Sequence, residues 1–374
     1  MMLKTDDDQL KAAQAENTRL NIQEYLDRRE LLASTPQRLF LQVNAPCNAD
    51  CLFCSKGYDY PVFDFADYES GIGRKLEPVL TRAREVVLSG SGELLGLPEA
   101  ERLLGYFNER FPHVDKFIAT NASHPNRRVW ELIAESGSRY TLQLSLHSSD
   151  AASHGLMTRR GFHDQVMENV RYLAAQRRKG GNPALNLMFI MTTLNVEKLP
   201  DFVRFGAELG VDRIQAGYFY VYEAQQKFLS LFFKQDLANR MIDEARTVAE
   251  NLGVKVDLPP KFRGPGAAAP AAGGSSDPCP EPWHQAMVNP GGRILPCDVY
   301  GDFPESLAEK DFDAIWNGPA YRELRRKAAA GQGCFLTCPR QNPAAIDRWE
   351  SHVIRRHKED RLILKEYHEA MRRP

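Results

Sequence analysis

The sequence PCNADCLFC occupies residues 46–54 and directly follows the apolar run Leu39–Val43. It places three thiols, Cys47, Cys51 and Cys54, on one short loop after a predicted strand. Three thiolates with this spacing can bind three irons of a [4Fe–4S] cube and leave the fourth iron open. A zinc site needs a fourth ligand and is more typical of paired CxxC motifs. The spacing therefore favours an iron–sulfur cluster.

Length and composition restrict the class of protein. The chain has 374 residues, of which 43% are hydrophobic, so it can bury a core and is not globally disordered. Its net charge of −1 comes without a long basic stripe, which argues against a nucleic-acid partner. No apolar run approaches the length of a membrane span, so we expect no membrane contact.

The N-terminal segment lacks the apolar core of a signal peptide, which predicts a cytoplasmic, reducing location. In such a compartment cysteines serve more often as metal ligands than as disulfide partners. Four further cysteines lie in the C-terminal third of the chain, at Cys279, Cys297, Cys334 and Cys338. The seven thiols therefore form a group of three and a group of four.

Strand-like and helix-like patterns alternate from Arg38 onward. The predicted strands are Leu39–Val43, Val86–Leu88, Phe117–Ala119, Leu142–Leu146, Leu187–Met191 and Ile214–Tyr220. The predicted helices between them include Pro98–Glu109, Arg127–Glu135, Phe162–Gln176 and Leu199–Leu209. Six such units predict an α/β protein whose parallel sheet curls into a full or partial barrel.

The chain divides into segments of different composition. Before the barrel, a polar helix from Asp8 to Leu32 is expected to be solvated on the outside of the protein. The predicted division is an N-terminal helical extension (1–36), the barrel (37–225), a helical bridge (226–263), a Gly/Ala/Pro-rich linker (264–278), a cysteine-bearing module (279–340) and a C-terminal helix (341–374).

From about residue 38 to residue 340 the sequence resembles the radical S-adenosylmethionine (radical SAM) enzymes. The CxxxCxΦC loop, the stretch GSGE after the second strand and the dipeptide TN after the third carry the resemblance. Glycines permit close backbone approach, and a carboxylate suits an ammonium partner. The resemblance implies S-adenosylmethionine (AdoMet) contacts from Phe53, Gly90, Ser91, Gly92, Glu93, Asn121, Ser145, His147 and Arg159.

The resemblance also implies a reaction type. AdoMet chelates the open iron, and an electron from the cluster cleaves it to methionine and a 5′-deoxyadenosyl radical. That radical takes a hydrogen atom from an unactivated C–H bond, while the protein positions the substrate and excludes competing donors. A flavodoxin- or ferredoxin-type protein is the implied reductant.

The second cysteine group, Cys279-x17-Cys297 followed by Cys334-x3-Cys338, resembles the C-terminal SPASM extension of these enzymes or its shortened twitch form. The full SPASM pattern uses about seven cysteines for two clusters, and this chain has four. The resemblance therefore implies one auxiliary [4Fe–4S] cluster with all four irons ligated, in a small domain after a partial (β/α)6 barrel. A structural zinc site remains the alternative, because four thiolates also suit tetrahedral zinc.

The thiol count bears on the reaction. All seven cysteines are assigned to clusters, so none is left to return a hydrogen atom as a radical epimerase requires. A two-electron oxidation of a small sugar- or aminocyclitol-like substrate is therefore expected, with the auxiliary cluster as electron acceptor. Radical decarboxylation, dehydration, epimerisation, peptide modification and a non-catalytic electron carrier remain alternatives.

The expectation of a small-molecule substrate rests on the segment before the barrel, because its 36 residues are too few for a leader-peptide recognition domain. Candidate catalytic residues lie at the end of the sixth strand. Tyr218, Tyr220 and Glu223 are chosen by that position alone.

Overall fold

A computed structural model of the chain describes residues 7–54, 61–180, 182–263, 278–297, 303–331 and 346–353. The six predicted strands are confirmed, with ends close to those expected. The strands are β1 (Arg38–Gln42), β2 (Glu85–Ser89), β3 (Asp115–Thr120), β4 (Tyr140–Ser145), β5 (Ala184–Met191), β6 (Arg213–Tyr218), β7 (Val256–Asp257), β8 (Gln285–Val288), β9 (Arg293–Leu295) and β10 (Glu305–Ser306).

The ten strands form one sheet in the order β10-β9-β8-β1-β2-β3-β4-β5-β6-β7. Neighbours from β8 to β7 are parallel, whereas β8, β9 and β10 pair antiparallel. In the described part of the chain the sheet has two edges, β7 and β10, so it does not close on itself. This arrangement confirms an open, partial barrel, and its parallel strands direct their carboxyl ends to one edge.

Helices connect the strands. They are α1 (Asp7–Leu26), α2 (Phe65–Asp67), α3 (Gly73–Leu80), α4 (Ala100–Arg110), α5 (Arg127–Ala134), α6 (Ala151–Thr158), α7 (His163–Gly180), α8 (Leu199–Leu209), α9 (Gln235–Leu252), α10 (Glu281–His284), α11 (Phe312–Trp316) and α12 (Pro319–Ala329). A π-helical turn, Tyr68–Ile72, joins α2 to α3. Short 3₁₀ helices are Leu94–Gly96, Val196–Lys198, Ala224–Leu229, Leu231–Phe233 and Trp349–His352.

The core lies between the sheet and these helices. Alternate residues of β5, Leu185, Leu187, Phe189 and Met191, are fully buried, as the two-residue period of a strand requires. The ring of Phe189 packs against that of Phe202 in α8, with centroids 5.0 Å apart. Each such aromatic side chain contributes about 1.5–3 kcal/mol when removed from water. Burial of this kind fixes the positions of the strand ends.

The N-terminal helix differs from the expectation. It ends at Leu26, and its inner face buries two asparagines completely, Asn17 and Asn21. The Asn17 amide donates to the carbonyl of Arg82 at 3.1 Å, and the Asn21 amide donates to that of Trp283 at 2.7 Å. The prediction of a solvated helix is wrong for this face, because its polar side chains are buried with their hydrogen bonds satisfied.

The C-terminal module continues the barrel sheet. Strand β8 pairs in parallel with β1, and the predicted hairpin is present, with Gly292 at φ +77° in the turn before β9. The hydroxyl of Tyr25 in α1 donates to the Pro278 carbonyl at 2.8 Å. The predicted linker up to residue 277 lies outside the described residues, as does the predicted C-terminal helix from residue 354 onward. Among the described helices, none has the length and apolarity needed to cross a membrane.

Candidate functional site

The cluster loop, residues 43–54, is held at the carboxyl edge of the sheet by backbone hydrogen bonds. Past the end of β1, the Ala45 N–H donates to the Ser91 carbonyl at 2.8 Å, which extends the pairing with β2. Further along, the N–H groups of Asp50 and Leu52 donate to the carbonyls of Thr158 and Met157, both at 3.0 Å. Those carbonyls are the free acceptors at the C-terminus of α6. The loop therefore lies between β2 and α6.

The three thiols of the cluster loop lie close together. Cys47 and Cys54 are exposed and Cys51 is half-buried. Burial, with the neighbouring Cys54 and Cys47, raises the pKa of Cys51 to about 12. Burial and the neighbouring Cys47 also raise the pKa of Cys54. Binding to cationic metal would hold these thiols in the thiolate form that a cluster requires.

Gly90 and Gly92 lie directly against the cluster loop. A Cβ atom on Gly90 would stand 2.4 Å from the Val43 carbonyl oxygen, and one on Gly92 would stand 1.7 Å from that of Ala45. Gly92 also has φ +92°, which L side chains rarely adopt. Between them, the half-buried Ser91 donates its N–H to the Asn44 side-chain oxygen at 3.0 Å. The backbone of the cluster loop therefore leaves no room for a side chain at Gly90 or Gly92, whichever ligand these glycines contact.

Glu93 is buried and its carboxylate is fully engaged. It accepts hydrogen bonds from the Thr120 hydroxyl and the Asn121 N–H, both at 2.7 Å, and from the Leu95 N–H at 3.3 Å. Burial raises the pKa of Glu93, although these three donors act in the opposite direction. In this structure Glu93 joins the loops after β2 and β3.

Asn121 connects the end of β3 to the cluster loop. Its side-chain amide donates to the Asn48 side-chain oxygen at 2.9 Å, and the Asn48 amide donates to the Ser123 hydroxyl at 2.8 Å. Ser123 in turn donates to the Asn121 oxygen at 2.6 Å. Asn48 was not among the predicted site residues, although its position as a polar residue between two of the cysteines marks it in the sequence.

His147 lies beside the cluster loop at the end of β4. Its ring is 4.5 Å from that of Phe53 in an edge-on arrangement, and its Nδ1 accepts the Ile190 N–H at 3.0 Å. Because Nδ1 accepts, the proton of the neutral ring is on Nε2. Burial, with His154 nearby, lowers the pKa of His147 to about 3. The imidazole is thus a neutral donor at physiological pH.

A buried asparagine missed by the sequence analysis holds His147 in place. The Asn195 amide donates to the His147 carbonyl at 3.0 Å and to the Ile190 carbonyl at 2.9 Å. Its side-chain oxygen accepts the Thr192 N–H at 2.8 Å. In the sequence, the only indication of this role is that Asn195 follows the end of a predicted strand by a few residues.

The remaining predicted AdoMet contacts lie near the same edge. Ser145 ends β4, half-buried, and pairs in register with Met188 of β5. Arg159 lies at the C-terminus of α6, where one guanidinium nitrogen is 3.5 Å from an Asp50 carboxylate oxygen. The largely exposed ion pair places Arg159 beside the cluster loop and contributes little to stability.

Gln226 binds the far end of the cluster loop. Its buried side-chain amide donates to the carbonyls of Leu52 at 3.1 Å and Cys54 at 3.2 Å. Its oxygen accepts the N–H groups of Tyr222 and Glu223, each at 3.2 Å. Gln226 was not predicted, although it lies only three positions after Glu223. A glutamine in a short helix after β6 carries no distinctive pattern.

The three candidate catalytic residues follow β6 as expected. Tyr218 is buried, and its hydroxyl donates to the Pro260 carbonyl at 3.0 Å. Burial raises the pKa of Tyr218. Tyr220 and Glu223 are both half-buried, and the Gln225 side-chain amide donates to the Glu223 carboxylate. Tyr218 is therefore engaged within the fold, whereas Tyr220 and Glu223 lie closer to the surface.

A cavity of about 340 Å³ opens beside the first cysteine. Its lining comes from the cluster loop and from the loops after β2 and β3: Pro46, Cys47, Asn48, Glu93, Gly96 and His124. This volume lies in the range of small-molecule sites. The cavity thus adjoins both the thiols and the glycine-bearing loop.

The second cysteine group is described in part. Cys279 precedes α10 and Cys297 follows β9, and both are half-buried. Cys334 and Cys338 lie outside the described residues. The hairpin formed by β8 and β9 separates the two described cysteines, as the sequence predicted.

Comparison with protein families gives two matches. The model described as the radical SAM superfamily matches residues 43–206, and the SPASM model, described as an iron–sulfur cluster-binding domain, matches residues 279–339. A comparison with curated protein sequences gave no match. The matched segments contain all seven cysteines.

Solved structures share the fold. SuiB from Streptococcus suis bound to S-adenosylmethionine aligns with a TM-score of 0.61 and 19% identity over 83% of this chain and 72% of SuiB. SuiB bound to its precursor peptide SuiA aligns with a TM-score of 0.60 and 17% identity over 83% and 71%. The protein anSMEcpe with AdoMet and Cp18Cys peptide aligns with a TM-score of 0.57 and 14% identity over 90% and 97%. Identities this low establish the fold alone.

The two domains imply a [4Fe–4S] cluster, AdoMet and auxiliary iron–sulfur chemistry, and the described residues fit these groups. Cys47, Cys51 and Cys54 lie on one loop and would ligate the first cluster. Loop, glycines and cavity lie together at one sheet edge, where this fold class places its ligands. The chain carries a radical SAM domain at residues 43–206 and a C-terminal SPASM domain at residues 279–339.

Proposed function

We propose that this enzyme is a radical SAM dehydrogenase of a small sugar- or aminocyclitol-like molecule. The substrate would lose one hydrogen atom from a carbinol carbon, one proton from its hydroxyl and one electron, which leaves a ketone. When bound, AdoMet and the first cluster supply the hydrogen-abstracting radical, and the auxiliary cluster supplies the electron acceptor. The proposal thus balances as a two-electron oxidation.

The observation that supports this proposal is that the sequence contains no cysteine outside the two cluster groups. A tyrosine could replace a thiol as the donor, but Tyr218 is 8% exposed and its hydroxyl donates to the Pro260 carbonyl. A substrate radical without a thiol donor is expected to lose an electron rather than regain a hydrogen atom.

The residues around the cluster loop would position the reacting groups. His147 offers a neutral Nε2–H donor beside Phe53, and its low pKa keeps the ring uncharged across the physiological range. We assign Glu223, half-buried at the end of the sixth βα unit, as the acceptor of the hydroxyl proton. Cys47, Cys51 and Cys54 would act only as ligands.

An isotopic experiment tests the reaction type. The anaerobically reduced holoenzyme is incubated in deuterium oxide with AdoMet and a panel of amino sugars and aminocyclitols, and products are analysed by mass spectrometry. We expect one 5′-deoxyadenosine for each ketone formed, with the mass loss of two hydrogen atoms. An isomer of unchanged redox state that carries solvent deuterium at the reacting carbon would overturn the proposal.

Two controls refine the result. Glu223→Gln is expected to slow ketone formation while leaving AdoMet cleavage intact, and Glu208→Gln, which changes an exposed carboxylate in α8, serves as the matched substitution. A parallel panel of short peptides tests the substrate class. Oxidation of peptides alone would keep the reaction type and refute the small-molecule assignment.

A further inference from the structure

The two faces of the barrel sheet differ in what they carry. In β5, Leu185, Leu187 and Phe189 belong to the buried core that the sheet shares with the helices. The residues between them, Asn186 and Met188, are half-buried and lie on the opposite face, because successive side chains of a strand alternate. Since the helices cover the outer side of the partial barrel, this opposite face is its inner side. It is called the inner face below.

Two amide side chains are neighbours on the inner face. Gln143 of β4 and Asn186 of β5 pair in register, so their Cα atoms lie about 5 Å apart. Both are half-buried, and within the described ranges neither side chain has a hydrogen-bond partner. By contrast, the buried amide of Asn195 is engaged with three backbone groups. Gln143 and Asn186, the amide pair, therefore keep open both their carbonyl acceptors and their N–H donors.

The amide pair lies close to the cluster loop. Ser145, a predicted AdoMet contact, follows Gln143 by two residues on the same face, which is about 7 Å along a strand. Two residues further, the ring of His147 packs against that of Phe53 in the cluster loop. A molecule held by the amide pair would therefore lie next to AdoMet on the inner face.

The surroundings of the amide pair are apolar or electrically balanced. Phe117 of β3 and Met188 of β5 lie on the same face. In register with Asn186, Arg213 of β6 forms an ion pair with Asp257 at 3.1 Å, which offsets its charge. Apolar surface with a few open hydrogen-bonding groups is typical of small-molecule sites. Uncharged amides pair well with hydroxyl groups, whereas a charged group would need an opposite charge to leave water.

We propose that Gln143 and Asn186 form a subsite that binds adjacent hydroxyl groups of a small substrate ring. Each amide can donate to one hydroxyl oxygen and accept from one hydroxyl hydrogen. The apolar side chains on the same face would contact the C–H groups of the ring. The subsite thus specifies the hydroxylated part of the substrate, and in this respect it rests on the proposed function.

Ligand binding to the oxidised, AdoMet-bound holoenzyme tests the subsite without turnover. The probes are the amino sugars and aminocyclitols of the turnover panel, titrated under saturation-transfer nuclear magnetic resonance. Cyclohexylamine, a ring without hydroxyl groups, is the comparison. Gln143→Met and Asn186→Leu replace each amide by an apolar side chain of similar size. The matched control is Asn251→Leu, which changes an exposed amide in α9.

We expect at least one hydroxylated probe to bind the wild type, and each amide variant to weaken that binding about tenfold, as the loss of hydrogen bonds worth about 1.4 kcal/mol gives. Asn251→Leu should bind the probe like the wild type. The subsite is overturned if no hydroxylated probe binds, if cyclohexylamine binds equally well, or if both amide variants keep the wild-type affinity.

Unfolding temperatures distinguish a binding role from a structural one. Because the two amides have no hydrogen-bond partner among the described residues, apolar replacements should leave the unfolding temperature of the probe-free holoenzyme unchanged or raise it. A lower temperature in both variants would assign the amides to the fold and overturn the subsite.

The subsite and the proposed reaction can fail separately. Probes that bind through the amide pair without forming a ketone would refute the dehydrogenase reaction alone. Ketone formation with the wild-type KM in both amide variants would refute the subsite alone.

Discussion

The carboxylate of Glu93 accepts the backbone N–H of Asn121 at 2.7 Å, and this bond joins the ends of β2 and β3 next to the cluster loop. Asn121 in turn binds Asn48 within that loop. The glutamate predicted from the GSGE stretch therefore has a role in the architecture of the site, in addition to any contact with AdoMet.

Replacing Glu93 separates these two roles. Glu93→Ala leaves the Thr120 hydroxyl and the N–H groups of Leu95 and Asn121 without their acceptor, so we expect a loss of about 1–3 kcal/mol in unfolding free energy. Glu93→Gln retains one oxygen and should lose less stability. Urea denaturation and AdoMet affinity are measured for both. Stability in Glu93→Ala equal to the wild type would refute the architectural role, and undiminished AdoMet binding in both variants would remove Glu93 from the AdoMet site.

Gly92→Ala should disrupt the first cluster. The new methyl group would meet the Ala45 carbonyl, and the residue would have to keep φ +92°, a strain of about 1–2 kcal/mol for a left-handed L-residue. We expect the cluster loop to shift and AdoMet cleavage to fall at least about tenfold, as a barrier rise of about 1.4 kcal/mol gives. Gly105→Ala is the control, because it lies in α4 with no atom within 4 Å of the added carbon. The Gly105→Ala variant should gain about 0.5–1 kcal/mol in unfolding free energy. AdoMet cleavage at the wild-type rate in Gly92→Ala would contradict the close approach of Gly92 to the Ala45 carbonyl.

Gln226→Ala should loosen the end of the cluster loop. It removes two donors from the carbonyls of Leu52 and Cys54 and one acceptor from two N–H groups. Each buried group that is left without a hydrogen-bond partner should lower the unfolding free energy by about 1–3 kcal/mol. We expect the first cluster to lose its iron faster in air, and the decay of the cluster absorbance measures this rate. Gln225→Ala changes the neighbouring exposed residue and should leave the rate unchanged. Equal rates of iron loss in Gln226→Ala and Gln225→Ala would contradict the proposed role of Gln226 in holding the cluster loop.

Lys116 should make stability depend on pH. It is buried in β3, where its amino group donates to the Phe111 carbonyl and the Ser138 hydroxyl, both at 2.6 Å. Burial lowers the pKa of Lys116 to about 7, an effect that Asp115 partly offsets. Between about pH 7 and pH 10 the unfolded chain then binds more protons at this site, so stability rises with pH by up to about 1.4 kcal/mol per unit. Urea denaturation across this range should show an unfolding free energy that rises with pH in the wild type, and Lys116→Met should abolish this rise. The same pH dependence in both proteins would contradict a lysine that is buried in its neutral form.

The periodic elements were predictable from the sequence because local pattern decides them. Strands such as β5 alternate in burial, and α8 ends at Leu209 before Gly210, which has the left-handed conformation that glycine favours at a helix C-terminus. The helices between Phe65 and Leu80 were missed. In α3, Leu76, Val79 and Leu80 follow helical spacing, but the helix is only eight residues long and contains Pro78, a residue that disfavours a helix interior.

Contacts between distant segments were not predictable. The pairing of β1 with β8 and the burial of Asn21 join residues far apart in the sequence, and neither leaves a local pattern. The candidate site shows the same division. The cysteine motif was found by its spacing and Glu93 through the family resemblance of the GSGE stretch, whereas Gln226 contributes through a side chain whose partners are backbone groups.

The central claim is that two separate cysteine groups hold two iron–sulfur clusters, and the distribution of iron between them tests it most directly. The anaerobically reconstituted wild type should hold about eight irons per chain, and a Cys47/Cys51/Cys54 triple alanine variant about half of them. A Cys279→Ala/Cys297→Ala double variant should keep the other half and still cleave AdoMet. A triple variant without iron, or a wild type that holds zinc at the second group, would contradict the account.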